Sequence, residues 1–191
     1  VIPHPLPRMD FTDGLPPELR TLVVVPTLLQ NAHGIDDLVE ALEVRFLANR
    51  DRHLHFALLT DLQDAHQETV AGDEQLVRLV QTRIVALNDK YNSEHGETFF
   101  LFHRPRRWNA QERVWMGYER KRGKLGELNE LIRGGPQDRF STVIGKTDIL
   151  CTVKYVITLD TDTQLPRDSA RQLVAAMAHP LNRPRYDLGA Q

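Results

Sequence analysis

Only one cysteine, Cys151, occurs in 191 residues. That excludes a disulfide framework and fits a reducing compartment. Cys151 reads as a small buried apolar residue beside a strand, with a reactive thiol as the alternative. No apolar run approaches the ~20 residues that span a bilayer. Residues 1–20 lack an apolar core for a signal peptide, and Pro3, Pro5, Pro7, Pro16 and Pro17 make them an extended lead-in. Neither charge sign prevails, with Lys plus Arg at 24 against Asp plus Glu at 26 and a net of −2. Nothing global therefore argues for nucleic acid. There is no internal repeat, no low-complexity tract and no metal-ligand spacing among the histidines. His53 and His55 stand at strand spacing without a partner cysteine or Glu motif. His103, at a strand end, is the one to watch, and a plain structural role is its default. The chain opens on Val1 rather than Met, as a piece of something longer would, and as a fragment it is expected to be soluble.

What is present is the material of one domain with a full core. Apolar runs at Thr21–Pro26, His53–Thr60, Thr98–His103 and Lys154–Leu159 read as buried strands, the last two rich in aromatic or β-branched residues. Helical periodicity covers 34–50, where Ile35, Leu38, Val39, Leu42, Phe46 and Leu47 recur, with Asp36 and Asp37 near the start. It also covers 73–91, through Leu76, Val77, Val80, Ile84, Leu87 and Tyr91. Shorter helices are expected over 126–133, broken by Gly134-Gly135-Pro136, and over 166–179. Residues 187–191 look like the beginning of another strand. Strand alternating with helix predicts an α/β fold, a mostly parallel, doubly wound sheet with helices on both faces.

Open α/β sheets bind ligands beyond the carboxyl ends of their strands. Three strands end there in polar groups: Pro26-Thr27, Asp61 and Asp160-Thr161-Asp162. On an extended strand, Asp160 and Asp162 point to the same side. Two carboxylates about 4 Å apart repel by ~1 kcal/mol in water and ~4 kcal/mol at an effective dielectric near 20. They are stable if they share a proton or hold a cation. One or two carboxylates, with phosphates completing the shell, is how Mg²⁺ usually binds. An exposed acidic turn is the plainer alternative. Asp61 either accepts from a base N–H or only turns the chain after its strand, and Asp64 stands close enough to share the task.

Residues 104–124 carry eight Lys and Arg against Glu112 and Glu119, a local net of +6. They read either as a solvated basic face or as a diphosphate clamp. In Arg120-Lys121-Arg122-Gly123-Lys124, Gly123 permits close backbone approach, and a Lys entering a helix brings donors to a phosphate. Trp108 and Trp115 interleave with the arginines and would suit base stacking, but the spacing of Trp115, Met116 and Tyr118 suits helical packing equally.

Val-Val-Pro-Thr (24–27), the strand ending in Asp61, Arg-Gly-Lys with Leu-Asn (122–129) and Leu-Asp-Thr-Asp-Thr-Gln-Leu-Pro (159–166) resemble, in order, the signatures of GT-A nucleotide-sugar glycosyltransferases. Arg-Pro-Arg-Arg-Trp-Asn (104–109) and Val-Trp-Met-Gly-Tyr-Glu-Arg-Lys-Arg-Gly-Lys-Leu (114–125) resemble the glycosyltransferase region of cyclic β-1,2-glucan synthases. The resemblance spans about residues 6–191. It implies that residues 21–191 form the Rossmann-like nucleotide-binding half of a GT-A domain, C-terminally truncated. It further implies that Pro26 and Thr27 border a uracil pocket and that Asp61 binds the uracil edge. Lys124 would lie near the diphosphate with Asn129 supporting its loop. Asp160 would contact the ribose or sugar side, and Asp162 would hold Mn²⁺ or Mg²⁺, with Asp160 beside it. The implied donor is UDP-glucose and the implied acceptor a growing β-1,2-glucan attacked with inversion. The implied setting is a large enzyme of the bacterial inner membrane, with this region on the cytoplasmic face. The general base is expected beyond Gln191, so the fragment would bind UDP and metal without transferring glucose. Two rival readings remain. In one, Asp160 and Asp162 are the nucleophile and acid/base of a haloacid-dehalogenase-like phosphatase. In the other, the chain is a non-enzymatic nucleotide or nucleic-acid binding module.

Overall fold

The computed structural model describes residues 5–95 and 98–183. Among the described residues seven strands form: β1 (Thr21–Leu29), β2 (Leu54–Leu62), β3 (Phe99–His103), β4 (Arg107–Asn109), β5 (Val114–Met116), β6 (Thr142–Ile144) and β7 (Tyr155–Thr158). The helices are α1 (Ala32–Ala48), α2 (Asp73–His95), α3 (Arg120–Ile132) and α4 (Ser169–Ala178). The central sheet has five strands in the order β6-β3-β2-β1-β7. All its pairings are parallel except β3 with β6. The Rossmann-like α/β architecture expected from the alternating pattern is therefore present.

Strand periodicity sorts the core into two layers. Val23, Val25, Phe56, Leu58, Phe99 and Leu101 face α1, α2 and α4. Their neighbours Leu22, Val24, Ala57, Leu59, Phe100 and Phe102 face α3 and the 3₁₀ turn Thr147–Thr152. On the first layer Phe46 of α1 meets Phe56, Tyr91 and Phe99 edge-on at 4.9–5.9 Å between ring centres. Each such side chain contributes roughly 1.5–3 kcal/mol by leaving water. This double cover keeps β1, β2 and β3 dry, so their polar ends project from one edge.

Several boundaries differ from the sequence reading, each for a local reason. β1 runs past Pro26 to Leu29 because Val24 accepts the last bond from β7, through Leu159 N–H at 2.9 Å. Pro26 turns its missing donor to that same side, where β7 no longer pairs. α1 begins at Ala32 because Asn31 caps it, accepting from Gly34 N–H at 2.8 Å. α3 begins six residues before the expected start. Its end is as expected: Gly134 takes φ 87° and Gly135 N–H bonds back to Glu130 O at 2.9 Å.

Residues 107–116 form the β4–β5 hairpin, with Trp108 opposite Trp115, and not the helix that their spacing also suited. β6 lies in what reads as a loop. β7 is shorter and less buried than expected, with Val156 41% exposed, because no strand among the described residues covers its outer edge. Cys151 is exposed on the 3₁₀ turn, not buried beside the strand. The strand expected over 187–191 lies outside the described residues. The lead-in docks on the fold: Met9 N–H bonds to Ala175 O at 3.0 Å and Leu15 is buried. No helix among the described residues is long and apolar enough to cross a membrane.

Candidate functional site

A cleft of about 610 Å³ opens at the carboxyl edge of the sheet. The end of β1 supplies Pro26, Thr27 and Leu28 to its wall, and the end of β2 supplies Asp61, Gln63 and Asp64. Gly117, Arg120, Lys121 and Lys124 enter from the approach to α3 and its first turns, and Thr161 from the segment after β7. Parallel register brings this about, pairing Thr27 with Thr60 and Leu28 with Asp61. Of the residues singled out in the sequence, Pro26, Thr27, Asp61 and Lys124 thus share one wall. Asn129 does not join them. It sits on the exposed side of α3, away from Lys124, which is itself inside the helix and not on a loop.

The floor of the cleft is an ion network. Asp61 receives the Arg104 fork, Nε to Oδ1 at 2.8 Å and Nη2 to Oδ2 at 2.9 Å. Lys124 Nζ stands 2.9 Å from Asp61 Oδ2 and donates to Thr27 O at 2.6 Å. The side chains of Asp61, Arg104 and Lys124 are only 2–3% exposed. Glu127 receives Arg104 at 3.0 Å, so two acids balance the two cations. Burial pulls Lys124 below its ordinary value against the attraction of Asp61. Burial acts on Arg104 in the same direction, but Asp61 and Glu127 outweigh it and hold that guanidinium above its usual value.

Two backbone devices close this floor. A Cβ on Gly117 would lie 2.3 Å from Asp61 Oδ2, so only glycine lets the chain pass there. Glu119 and Arg120 adopt left-handed φ of 52° and 46°. Such residues each cost about 1–3 kcal/mol unless their surroundings enforce them. Arg104 does so, donating to Tyr118 O and Arg120 O, both at 3.2 Å. The close approach at Gly123 is to the Tyr118 carbonyl, at 2.1 Å from a built Cβ, and serves this same turn.

The acids and cations of the rim are exposed. β7 stops at Thr158, so Asp160 and Asp162 stand on a turn closed by Thr163 N–H to Asp160 O at 3.0 Å, not on an extended strand. Strand alternation therefore does not set their directions. Asp160 pairs with Lys121. Asp162 has no ion pair or hydrogen bond among the described residues, and it lines a second hollow of about 600 Å³ with Glu40, Val44 and Pro166. Thr161 lines both spaces. Among the described residues no three His, Cys, Asp or Glu gather as a metal cluster. The donors on offer are the free carboxylate of Asp162 and that of Asp160, a set that fits a divalent cation whose remaining ligands are phosphates and water.

The basic stretch is largely neutralised in three dimensions. Beyond the pairs already given, Arg106 forks onto Asp73, and Arg120 reaches Asp64 at 3.0 Å and Glu112 at 2.8 Å. Asp73 is held below the usual carboxylate value; burial opposes this, and bonds from Arg106 and Val70 N–H prevail. His103 is buried against Thr60, Nδ1 to Oγ1 at 2.9 Å. Desolvation pulls it down to about 4, with Asp61 opposing, so the ring is neutral at pH 7.

Sequence reasoning passed over Arg104, Gly117 and Arg45. Arg104 had a signal, since it follows a strand directly and opens the basic stretch. Arg45 had none, being one basic residue on an amphipathic helix.

The chain matches no family profile. Over 182 residues, 95% of its length, it is 43% identical to the cyclic β-(1,2)-glucan synthase NdvB of Rhizobium meliloti (strain 1021). The chain is a homologue of one segment of that glucan synthase. It spans about 6% of that protein's length. The aligned stretch takes in nearly the whole chain, and at this identity the glucan synthase segment shares its fold.

Proposed function

We propose that this chain is the donor-binding part of an inverting, metal-dependent glucosyltransferase that holds UDP-glucose for β-1,2-glucan synthesis within a larger protein. One observation carries the reading: Pro26, Thr27, Asp61 and Lys124 line a single cleft beside the Asp160–Asp162 turn, in a homologue of a glucan synthase segment. The uracil lies against Pro26 and Thr27. A carboxylate offers about four acceptor positions. Arg104 and Lys124 occupy three on Asp61, and the remaining one on Oδ1 accepts a base N–H. At the rim Lys121 exchanges Asp160 for the diphosphate, a small loss because both partners are half exposed or more.

Asp162 and Asp160 would hold Mn²⁺ or Mg²⁺, and the ion would supply Lewis-acid stabilisation of a diphosphate leaving group. Lys121, once released from Asp160, adds positive charge at the diphosphate. A growing glucan is the acceptor, and its hydroxyl requires a general base that we assign to another part of the longer protein, at the cytoplasmic face of the inner membrane. The chain alone is expected to bind the donor without transferring glucose. Titration of UDP, UDP-glucose, ADP and GDP with and without Mn²⁺ tests the reading. Uridine nucleotides bind best and only with Mn²⁺, and Asp162→Ala weakens them at least tenfold, about 1.4 kcal/mol. Equal, weak binding of all four, unchanged in Asp162→Ala, removes it.

A further inference from the structure

The end of α1 grips the acidic turn from behind. Arg45 is 5% exposed. Its Nε donates to Thr163 O at 3.1 Å, and its Nη2 to Thr161 O at 2.7 Å and Thr163 O at 2.8 Å, with Asp160 O at 3.5 Å. No carboxylate pairs with this guanidinium among the described residues. A buried cation satisfied by main-chain carbonyls alone is uncommon, because an acid usually shares the burial. One turn on, at the C-cap of α1, Asn49 donates to Leu165 O at 3.1 Å and accepts from Ala170 N–H at 3.0 Å. Ala48 O accepts from Asp168 N–H at 3.1 Å. The segment from Asp160 to Ala170 therefore hangs on polar bonds to the last turns of one helix.

We propose that Arg45 is a positioning residue for cation binding, fixing the turn that carries Asp160 and Asp162. The proposal rests on the donor-site reading above. Turned inward onto the guanidinium, the carbonyls of Thr161 and Thr163 leave both carboxylates at the surface. The positive charge sits behind two like charges and reduces their repulsion while no cation is bound. The turn is ordered before the ligand arrives, so binding does not carry the cost of ordering it. Arg45 does not touch the ligand, and its effect passes through the main chain.

The test compares the unaltered chain with Arg45→Met, which keeps the stem and removes the charge, and Arg45→Lys, which keeps the charge and removes the fork. Hydrogen exchange at the Leu159 and Thr163 amides reports the turn, and the β1 and β2 amides serve as the folding control. Calorimetry with Mn²⁺ and UDP reports the site. In Arg45→Met, exchange at the turn speeds at least tenfold while β1 and β2 are unchanged. Mn²⁺-dependent UDP affinity falls roughly 10- to 100-fold, as for other outer partners of metal ligands, and Arg45→Lys falls between. A loosened turn with unaltered affinity overturns the positioning role and leaves the donor reading intact. Unaltered exchange at the turn overturns it too. If the unaltered chain binds no UDP with Mn²⁺, the donor reading fails and the positioning role fails with it. Should Arg45→Met not fold, Arg45→Lys decides on the same two measurements.

Discussion

Lys121 and Lys124 stand one turn apart on α3; Lys124 meets Asp61 at the end of β2, and Lys121 meets Asp160 on the turn that follows β7. Lys124 and Asp61 are 3% and 2% exposed, whereas Lys121 and Asp160 are 51% and 62% exposed. The chemistry is the same and the surroundings are not. In the buried pair, neither partner can leave without stranding a charge out of water, and Arg104 ties the same carboxylate to the strained entry of α3. In the exposed pair, water replaces either partner at little cost. The first arrangement sets the shape of the cleft. The second is a contact that an incoming phosphate or cation can displace.

The comparison breaks if the two pairs respond alike. The largest effect is expected for Asp61→Asn, which leaves Lys124 buried without an acid and Arg104 with Glu127 alone. Urea denaturation should show a loss of about 3–5 kcal/mol, and a loss below about 1 kcal/mol would mean that the network is not the floor of the cleft. Next is the effect of pH through His103, packed beside the same network. Unfolded, it takes up a proton near 6.5; folded, only near 4. Between those values the unfolded chain binds more protons. The stability present above pH 6.5 is therefore lost as pH falls toward 4, by about 3 kcal/mol in all. A urea midpoint followed from pH 7 to 4 should show this fall, and His103→Gln should remove that part of it. The smallest effect is expected for Lys121→Ala, at or below about 1 kcal/mol of stability. A Lys121–Asp160 double-mutant cycle measures it, and a coupling above about 2 kcal/mol would make the rim as fixed as the floor.

Much of the floor was legible from sequence because it is carried by strand ends. Periodicity placed β1, β2, β3, α1 and α2, and once the sheet was parallel, Thr27 and Asp61 had to share an edge. The misses have two physical origins. Elements of three residues, β4, β5 and β6, are too short to repeat the two-residue period of a strand, and Trp115, Met116 and Tyr118 match helix as well as hairpin. Long-range charge pairing leaves no local trace either. Arg104 meets Asp61 across 43 positions, and Arg45 meets Thr163 across 118. The +6 stretch read as a solvated face or a diphosphate clamp, and its internal pairing was hidden for the same reason, since several of its acids come from β2, the segment after it, α2 and the turn after β7. The assumption that Asp160 and Asp162 share a strand face failed because β7 ends two residues before the first of them.

The position of Cys151 has a practical use. It is the sequence's sole thiol, and it stands exposed on a turn whose Leu150 packs beneath Leu128, Leu131 and Ile132 at the far end of α3. A maleimide dye therefore attaches at one address per molecule, outside the cleft yet mechanically joined to the helix that bears both lysines. Its emission would report movement of α3 when a ligand arrives, with no engineered label site and no background from a second thiol in this sequence.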